Sequence, residues 1–131
     1  MNVNKDNVIV EKTKTFALRI IKLYCYLREE KGEYVLSKQV LKSGTSIGAN
    51  VKEGIRGQTK ADFFSKMNIA LKEASETEYW LDLLMESGYI ENKHYSDIYE
   101  DCQEIIKLLV SITKKQNAPN KEDDSNRDGD R

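Results

Sequence analysis

Seven residues of this 131-residue chain, Phe63, Met67, Ala70, Ala74, Thr77, Leu81 and Leu84, follow one another at steps of 4-3-4-3-4-3 without a break. An α-helix brings residues at that spacing onto one side, and three heptads of it describe a bundle or coiled-coil seam. The spacing predicts a helix over about residues 60–87. Thr59 precedes Asp62 by three residues, just ahead of Phe63, close to a capping box with Asp in place of Glu. Ser87-Gly88-Tyr89 reads as a stop and turn. The opposite side of this helix carries Ile69, Trp80 and Leu83, grouped within about 60°. A helix apolar on two sides is covered on two sides. With three other helices in the chain, a second copy is the natural source of that cover, so these three residues are expected at an oligomer interface.

A second helix is predicted over 37–57, SKQVLKSGTSIGANVKEGIRG, with Ser37 as its cap. Val40, Gly44, Ile47, Gly48, Val51 and Ile55 share one side of it. Each glycine costs about 1 kcal/mol against alanine inside a helix. Two of them four residues apart, on the buried side, let a neighbouring helix come close. The competing reading breaks the segment into two helices around a loop at 43–46. The unbroken apolar phase on both sides of the glycines favours one helix. A phosphate-binding loop is excluded, since the Walker spacing of Gly, four residues, Gly-Lys-Ser/Thr does not occur. Lys38, Lys42, Lys52 and Arg56 form a separate stripe opposite the apolar side, and the only acid between Tyr34 and Ala61 is Glu53.

The remaining chain supplies two more amphipathic helices. Over 11–31, Phe16, Ile20, Leu23, Tyr24 and Leu27 repeat at helical spacing, with Ala17 and Ile21 widening the apolar side and Lys12, Arg19 and Lys22 on another stripe. Residues 1–10 are expected to be loose, and Gly32 to end the helix. Over 93–115, Tyr95, Ile98, Tyr99, Cys102, Ile105, Ile106, Leu109 and Ile112 follow the same rule. Residues 116–131 are polar and without period, and are expected to be a disordered tail. The expected organisation is therefore one domain, 1–115, an all-α, up-down-up-down antiparallel four-helix bundle.

No apolar run approaches the roughly 20 residues of a membrane span, and the N-terminus lacks the apolar stretch of a signal peptide. Cys25 and Cys102 fall at apolar helix positions without a Cys-x-x-Cys, and are expected to be reduced, buried and structural in a cytoplasmic protein. The net charge of −1 hides an asymmetry: residues 1–72 sum to +7, residues 73–115 to −6 and residues 116–131 to −2. A basic first half can contact polyanions, and an acidic second half can contact the basic half of another copy; the alternative is an ordinary solvated surface.

Catalysis is hard to build from these residues. His94 is the only histidine. Glu91-Asn92-Lys93-His94 matches one Glu-x-x-His, but di-iron bundles need two such motifs and two further glutamates facing the core. Glu73, Glu76, Asp82 and Glu86 read as a charged surface or a salt-bridged interface rather than an acid–base pair. No nucleophile–histidine arrangement and no nucleotide fingerprint can be assembled. No catalytic residue, metal or cofactor is expected.

The run LKSGTSIGANVKEG (41–54), followed by DFFSKMNIALKEASETEYWLDLL (62–84), resembles the small bacterial four helix bundle protein family. That family was described from proteins encoded in intervening sequences of large-subunit ribosomal RNA genes, and includes the accessory variability proteins of diversity-generating retroelements. The resemblance covers about residues 10–112. It rests on Ser43, Thr45, Ser46, Ile47, Gly48, Ala49 and Asn50, and on Ala70 to Ala74, Glu76, Thr77, Tyr79, Trp80 and Leu81. It implies a homopentameric barrel of four-helix bundles which, in the retroelement branch, binds a reverse transcriptase and nucleic acid. Retroelement members are expected to be strongly basic, whereas residues 1–115 here sum to +1. The intervening-sequence or stand-alone branch fits better.

The expected function is a non-enzymatic oligomeric adaptor that binds RNA or other nucleic acid. Lys38, Lys42, Lys52 and Arg56 would contact phosphates, with Lys12, Arg19 and Lys22 as secondary candidates. The alternative is a protein-binding scaffold or regulatory partner without a nucleic-acid role.

Overall fold

The computed structural model describes residues 3–117, with side chains from Asp6 onward. Among the described residues there are four helices and no strand: α1 (Val3–Glu29), α2 (Leu36–Ile55), α3 (Lys60–Glu86) and α4 (Asn92–Lys114). They pack as a bundle in which α1 and α3 each touch both α2 and α4. The heptad residues Phe63, Met67, Ala70, Ala74, Thr77, Leu81 and Leu84 are the buried residues of α3. Their apolar members join Phe16, Ile20 and Leu27 of α1, Val40, Ile47 and Val51 of α2, and Ile98, Cys102, Ile105, Leu109 and Ile112 of α4 in one core. Full burial of each large aliphatic or aromatic side chain contributes about 1.5–3 kcal/mol. The polar residues expected beyond α4 fall, after Asn117, outside the described residues.

Four expectations are corrected. The first concerns residues 1–10, expected to be loose: residues 1 and 2 lie outside the described residues, and from Val3 onward the segment is already helical, eight residues before the expected start of α1. Ile9 is fully buried and extends the core line Ile9, Thr13, Phe16, Ile20. Thr13 conceals that line in the sequence because it is polar. Its hydroxyl donates to the Ile9 carbonyl at 2.7 Å, so it is buried without an unmet hydrogen bond.

The second concerns the start of α2. Ser37 is not the cap; its hydroxyl donates to the Glu33 carbonyl at 2.9 Å. The Glu33 carboxylate accepts instead from the N–H groups of Val35, Leu36 and Ser37, at 3.2, 2.9 and 2.7 Å. Those are amides that an N-terminal turn leaves without intrahelical partners, and a carboxylate there also meets the positive end of the helix dipole.

The third and fourth concern α1. Cys25 is exposed; only Cys102 is buried. Ile21 does not widen the buried side but is 43% exposed, and Leu18 beside it is 54% exposed. Both lie beyond the arc of α1 that α2 and α4 cover.

Helix α2 runs through its glycines without interruption. A Cβ on Gly44 would lie 2.9 Å from both Cγ1 and Cγ2 of Ile20, and one on Gly48 would lie 3.3 Å from Thr13 Oγ1. The two glycines therefore set how closely α1 approaches. Gly54 does the same toward α3, where a Cβ would stand 3.0 Å from Lys66 Cβ. At the start of α3, the Thr59 hydroxyl accepts from the Asp62 N–H at 3.0 Å. Gly32 (φ 61°) and Gly88 (φ 85°) take the left-handed conformation just past α1 and α3, where residues with a Cβ are disfavoured.

Candidate nucleic-acid interface

Val40, Ile47 and Val51 anchor one side of α2 in the core, and the helical repeat carries Lys38, Lys42, Lys52 and Arg56 to the other. All four are exposed. Lys38 and Arg56 are separated by about 27 Å along the axis at 1.5 Å per residue. Thr45 and Ala49 occupy the middle of the stripe. Among the described residues none of the four cations has an ion-pair partner. The one acid of this helix, Glu53, is held by Lys66 of α3 at 3.0 Å. The end of the stripe lies beside a shallow cleft lined by Glu53, Arg56, Gly57, Asp62, Ser65 and Lys66.

The cations of α1 are used differently. Lys12 pairs with Glu104 at 3.2 Å, and Arg19 pairs with Asp101, both across the α1–α4 seam. The seam there is a groove also lined by Glu11 and Thr15, with the buried Phe16 at its floor. Lys22 stays exposed on α1. The seven cations named from the sequence therefore divide into an unpaired set on α2, a paired set on α1, and Lys22.

The serine, threonine and asparagine of the S-x-T-S-I-G-A-N run face their own helix or a neighbour. Ser46 donates to the Lys42 carbonyl at 2.6 Å, Thr45 to the Leu41 carbonyl at 2.7 Å, and Asn50 to the Ser46 carbonyl at 2.8 Å. The hydroxyls of Ser43 and Thr77 share a buried hydrogen bond of 2.8 Å between α2 and α3. This motif builds the bundle rather than a polar pocket.

The acidic side of the molecule lies on α3 and α4. Tyr95 donates its phenol proton to Asp82 at 2.6 Å and stacks on Tyr99 at 4.8 Å. Burial, and then Asp82, push the Tyr95 hydroxyl above its usual pKa; burial followed by Glu78 does the same for Tyr99. The Cys102 thiol, which donates to the Ala74 carbonyl at 3.4 Å, is pushed up to about 12 by burial and then by Glu78, Asp82 and Asp101. A thiol so far from ionisation is a poor nucleophile and metal ligand. His94 is exposed in the first turn of α4. Among the described residues no group of three His, Cys, Asp or Glu side chains could hold a metal ion, and no helix is long and apolar enough to cross a membrane.

Of the expected interface residues, Ile69 is 38% exposed while Trp80 and Leu83 are half-buried. The Trp80 indole N–H donates to Glu76 at 3.4 Å. Sequence reasoning missed the outward apolar pair Leu18 and Ile21, and it missed Tyr34, 54% exposed in the loop before α2. Leu18 could have been found by noting that it falls outside the phase of Phe16, Ile20 and Leu27.

A family of 23S rRNA-intervening sequence proteins matches residues 5–111. The chain also resembles a crystal structure of a protein of unknown function from the S23 ribosomal protein family of Bacteroides thetaiotaomicron VPI-5482. The two are 55% identical, with a TM-score of 0.82 over 84% of this chain and 98% of that one. No curated protein matches the sequence.

Proposed function

Since the chain belongs to the 23S rRNA-intervening sequence protein family, we propose that it is a non-enzymatic, oligomeric adaptor that binds RNA through α2. The observation that carries this reading is the stripe of Lys38, Lys42, Lys52 and Arg56. These cations are exposed and without ion-pair partners among the described residues, and the adjacent Glu53 is held by Lys66. Four cations on a rigid helix can displace several counterions from a phosphate backbone at once. Lys12 and Arg19 serve the bundle first and the ligand second, because binding there would compete with Glu104 and Asp101.

The bundle is up-down-up-down and antiparallel in this reading. Supporting contacts run in opposite directions along each neighbouring pair: Ile20 with Gly44 and Thr13 with Gly48, Ser43 with Thr77 and Glu53 with Lys66, Asp82 with Tyr95 and Asn68 with Gln116, Lys12 with Glu104 and Arg19 with Asp101. Copies associate in a ring, a pentamer as the family resemblance implies. The outward Leu18, Ile21 and Ile69 and the opposed charges of the two halves favour this. Repetition of the stripe in a ring raises avidity without new contacts. A protein of this kind works in the cytoplasm, where its RNA is.

Filter binding to RNA at two salt concentrations tests the reading. Each phosphate neutralised adds a slope of about 0.7 log units per log unit of salt on a single strand. The triple change of Lys42, Lys52 and Arg56 to Gln should lower the slope by about 2 and leave the circular dichroism unchanged. Absence of binding at low salt, or binding indifferent to the triple change, refutes it. Light scattering at micromolar concentration tests the ring, and a stable monomer rules it out.

A further inference from the structure

The loop joining α1 to α2 holds an aromatic ring toward solvent in a fixed place. Gly32 turns the chain out of α1, and the Glu33 N–H donates back to the Leu27 carbonyl at 2.9 Å. The Glu33 carboxylate then grips the amides of Val35, Leu36 and Ser37. Tyr34 lies inside this clamp, so its backbone is fixed from both sides. Its side chain is nevertheless 54% exposed, and Val35 next to it is 70% exposed.

Arg28, in the last turn of α1, sits between two rings: its guanidinium carbon is 5.3 Å from the centroid of Tyr24 and 4.8 Å from that of Tyr34. One face of Tyr34 is therefore backed by a cation and the ring is held in orientation. Four residues later Lys38 opens the α2 stripe, and Lys31 precedes the loop; both are exposed. A scattered surface tyrosine is ordinary. One whose backbone is clamped, whose ring is backed by arginine, and which stands one turn ahead of unpaired cations has the elements of a stacking platform. Every base offers a π-face to such a ring once it is unpaired, whereas a duplex keeps its bases stacked on one another.

We propose that Tyr34, backed by Arg28, is a base-stacking site at the start of the α2 stripe, and that the ligand is single-stranded nucleic acid. This rests on the reading of α2 as the phosphate-contacting face and adds to it the class of strand. Phosphates on Lys38 and Lys42 would deliver the adjoining base to Tyr34.

The test uses the full chain, a short single-stranded RNA carrying 2-aminopurine, and the duplex of the same sequence. Stacking on one aromatic ring corresponds to a loss of about fivefold or more in affinity on removal. Tyr34→Ala should weaken the single strand by that factor and abolish 2-aminopurine quenching. Duplex affinity, the salt slope and the circular dichroism should stay as in the native chain, and Tyr34→Phe should retain both affinity and quenching. The stacking site is overturned if Tyr34→Ala changes single strand and duplex equally, or changes neither, while the Lys42, Lys52 and Arg56 triple change still weakens both. No binding by the native chain at low salt overturns the α2 reading and the stacking site together.

Discussion

Substituting Gly44 and Gly48 by alanine, one at a time, separates helix propensity from helix approach. Each substitution gains the same amount from propensity, about 1 kcal/mol, because glycine is the poorer helix former. The packing terms differ. A Cβ at position 44 would stand 2.9 Å from two carbons of Ile20, a fully buried, β-branched side chain with little freedom to move. Overpacking of that kind costs about 1–3 kcal/mol. A Cβ at position 48 would meet Thr13 less closely, at 3.3 Å from its Oγ1 and 3.4 Å from its Cβ and carbonyl oxygen, a milder contact that offsets only part of the propensity gain. Gly44→Ala should therefore range from neutral to about 2 kcal/mol destabilising, and Gly48→Ala from neutral to about 1 kcal/mol stabilising. Urea unfolding followed by circular dichroism, at one fixed protein concentration, reads the difference. Ile20→Ala removes both close carbons, and in that background Gly44→Ala should become neutral or stabilising. If Gly44→Ala stabilises the native background by the full propensity gain, α1 and α2 can separate without cost, and the close approach is not what fixes Gly44.

Three further outcomes follow from particular contacts. Glu33→Ala strips three amides of their acceptor and should destabilise by about 1–3 kcal/mol in the same unfolding assay, whereas replacing the exposed neighbour Tyr34 should cost far less. Cys25 should react with a thiol reagent in the native protein while Cys102 reacts only after denaturation, so thiol titration should give one equivalent and then two. The Cys102 thiol titrates near 9.0 when unfolded and near 12 when folded, so its contribution to stability is complete below pH 9 and is lost as pH rises toward 12. Replacing Cys102 by alanine should flatten that alkaline loss, read as unfolding free energy against pH.

The periodicity of the sequence determines the phase of each helix about its own axis. That was enough to identify the α3 seam from Phe63 to Leu84 residue for residue, to place Gly44 on the side that α1 approaches, and to put Lys38, Lys42, Lys52 and Arg56 opposite the core. Each follows from local spacing, because a residue one or two turns away on the same helix necessarily shares its direction. Phase does not determine how wide an arc a neighbouring helix covers, and that is where reading the sequence stopped. Ile21 and Cys25 lie just beyond the covered arc of α1, and Ile9 extends its buried line past a polar Thr13. Partners distant in sequence were equally invisible: Lys12 and Arg19 look like Lys38 and Lys42 in the sequence, yet they meet Glu104 and Asp101, 92 and 82 residues away. The clamp that fixes Tyr34 depends on a buried glutamate folding back onto the next turn of chain, which composition would place in solvent. Spacing along one helix is a local property of the chain, whereas coverage and pairing arise only when four helices are set against one another, and the tertiary structure alone decides them.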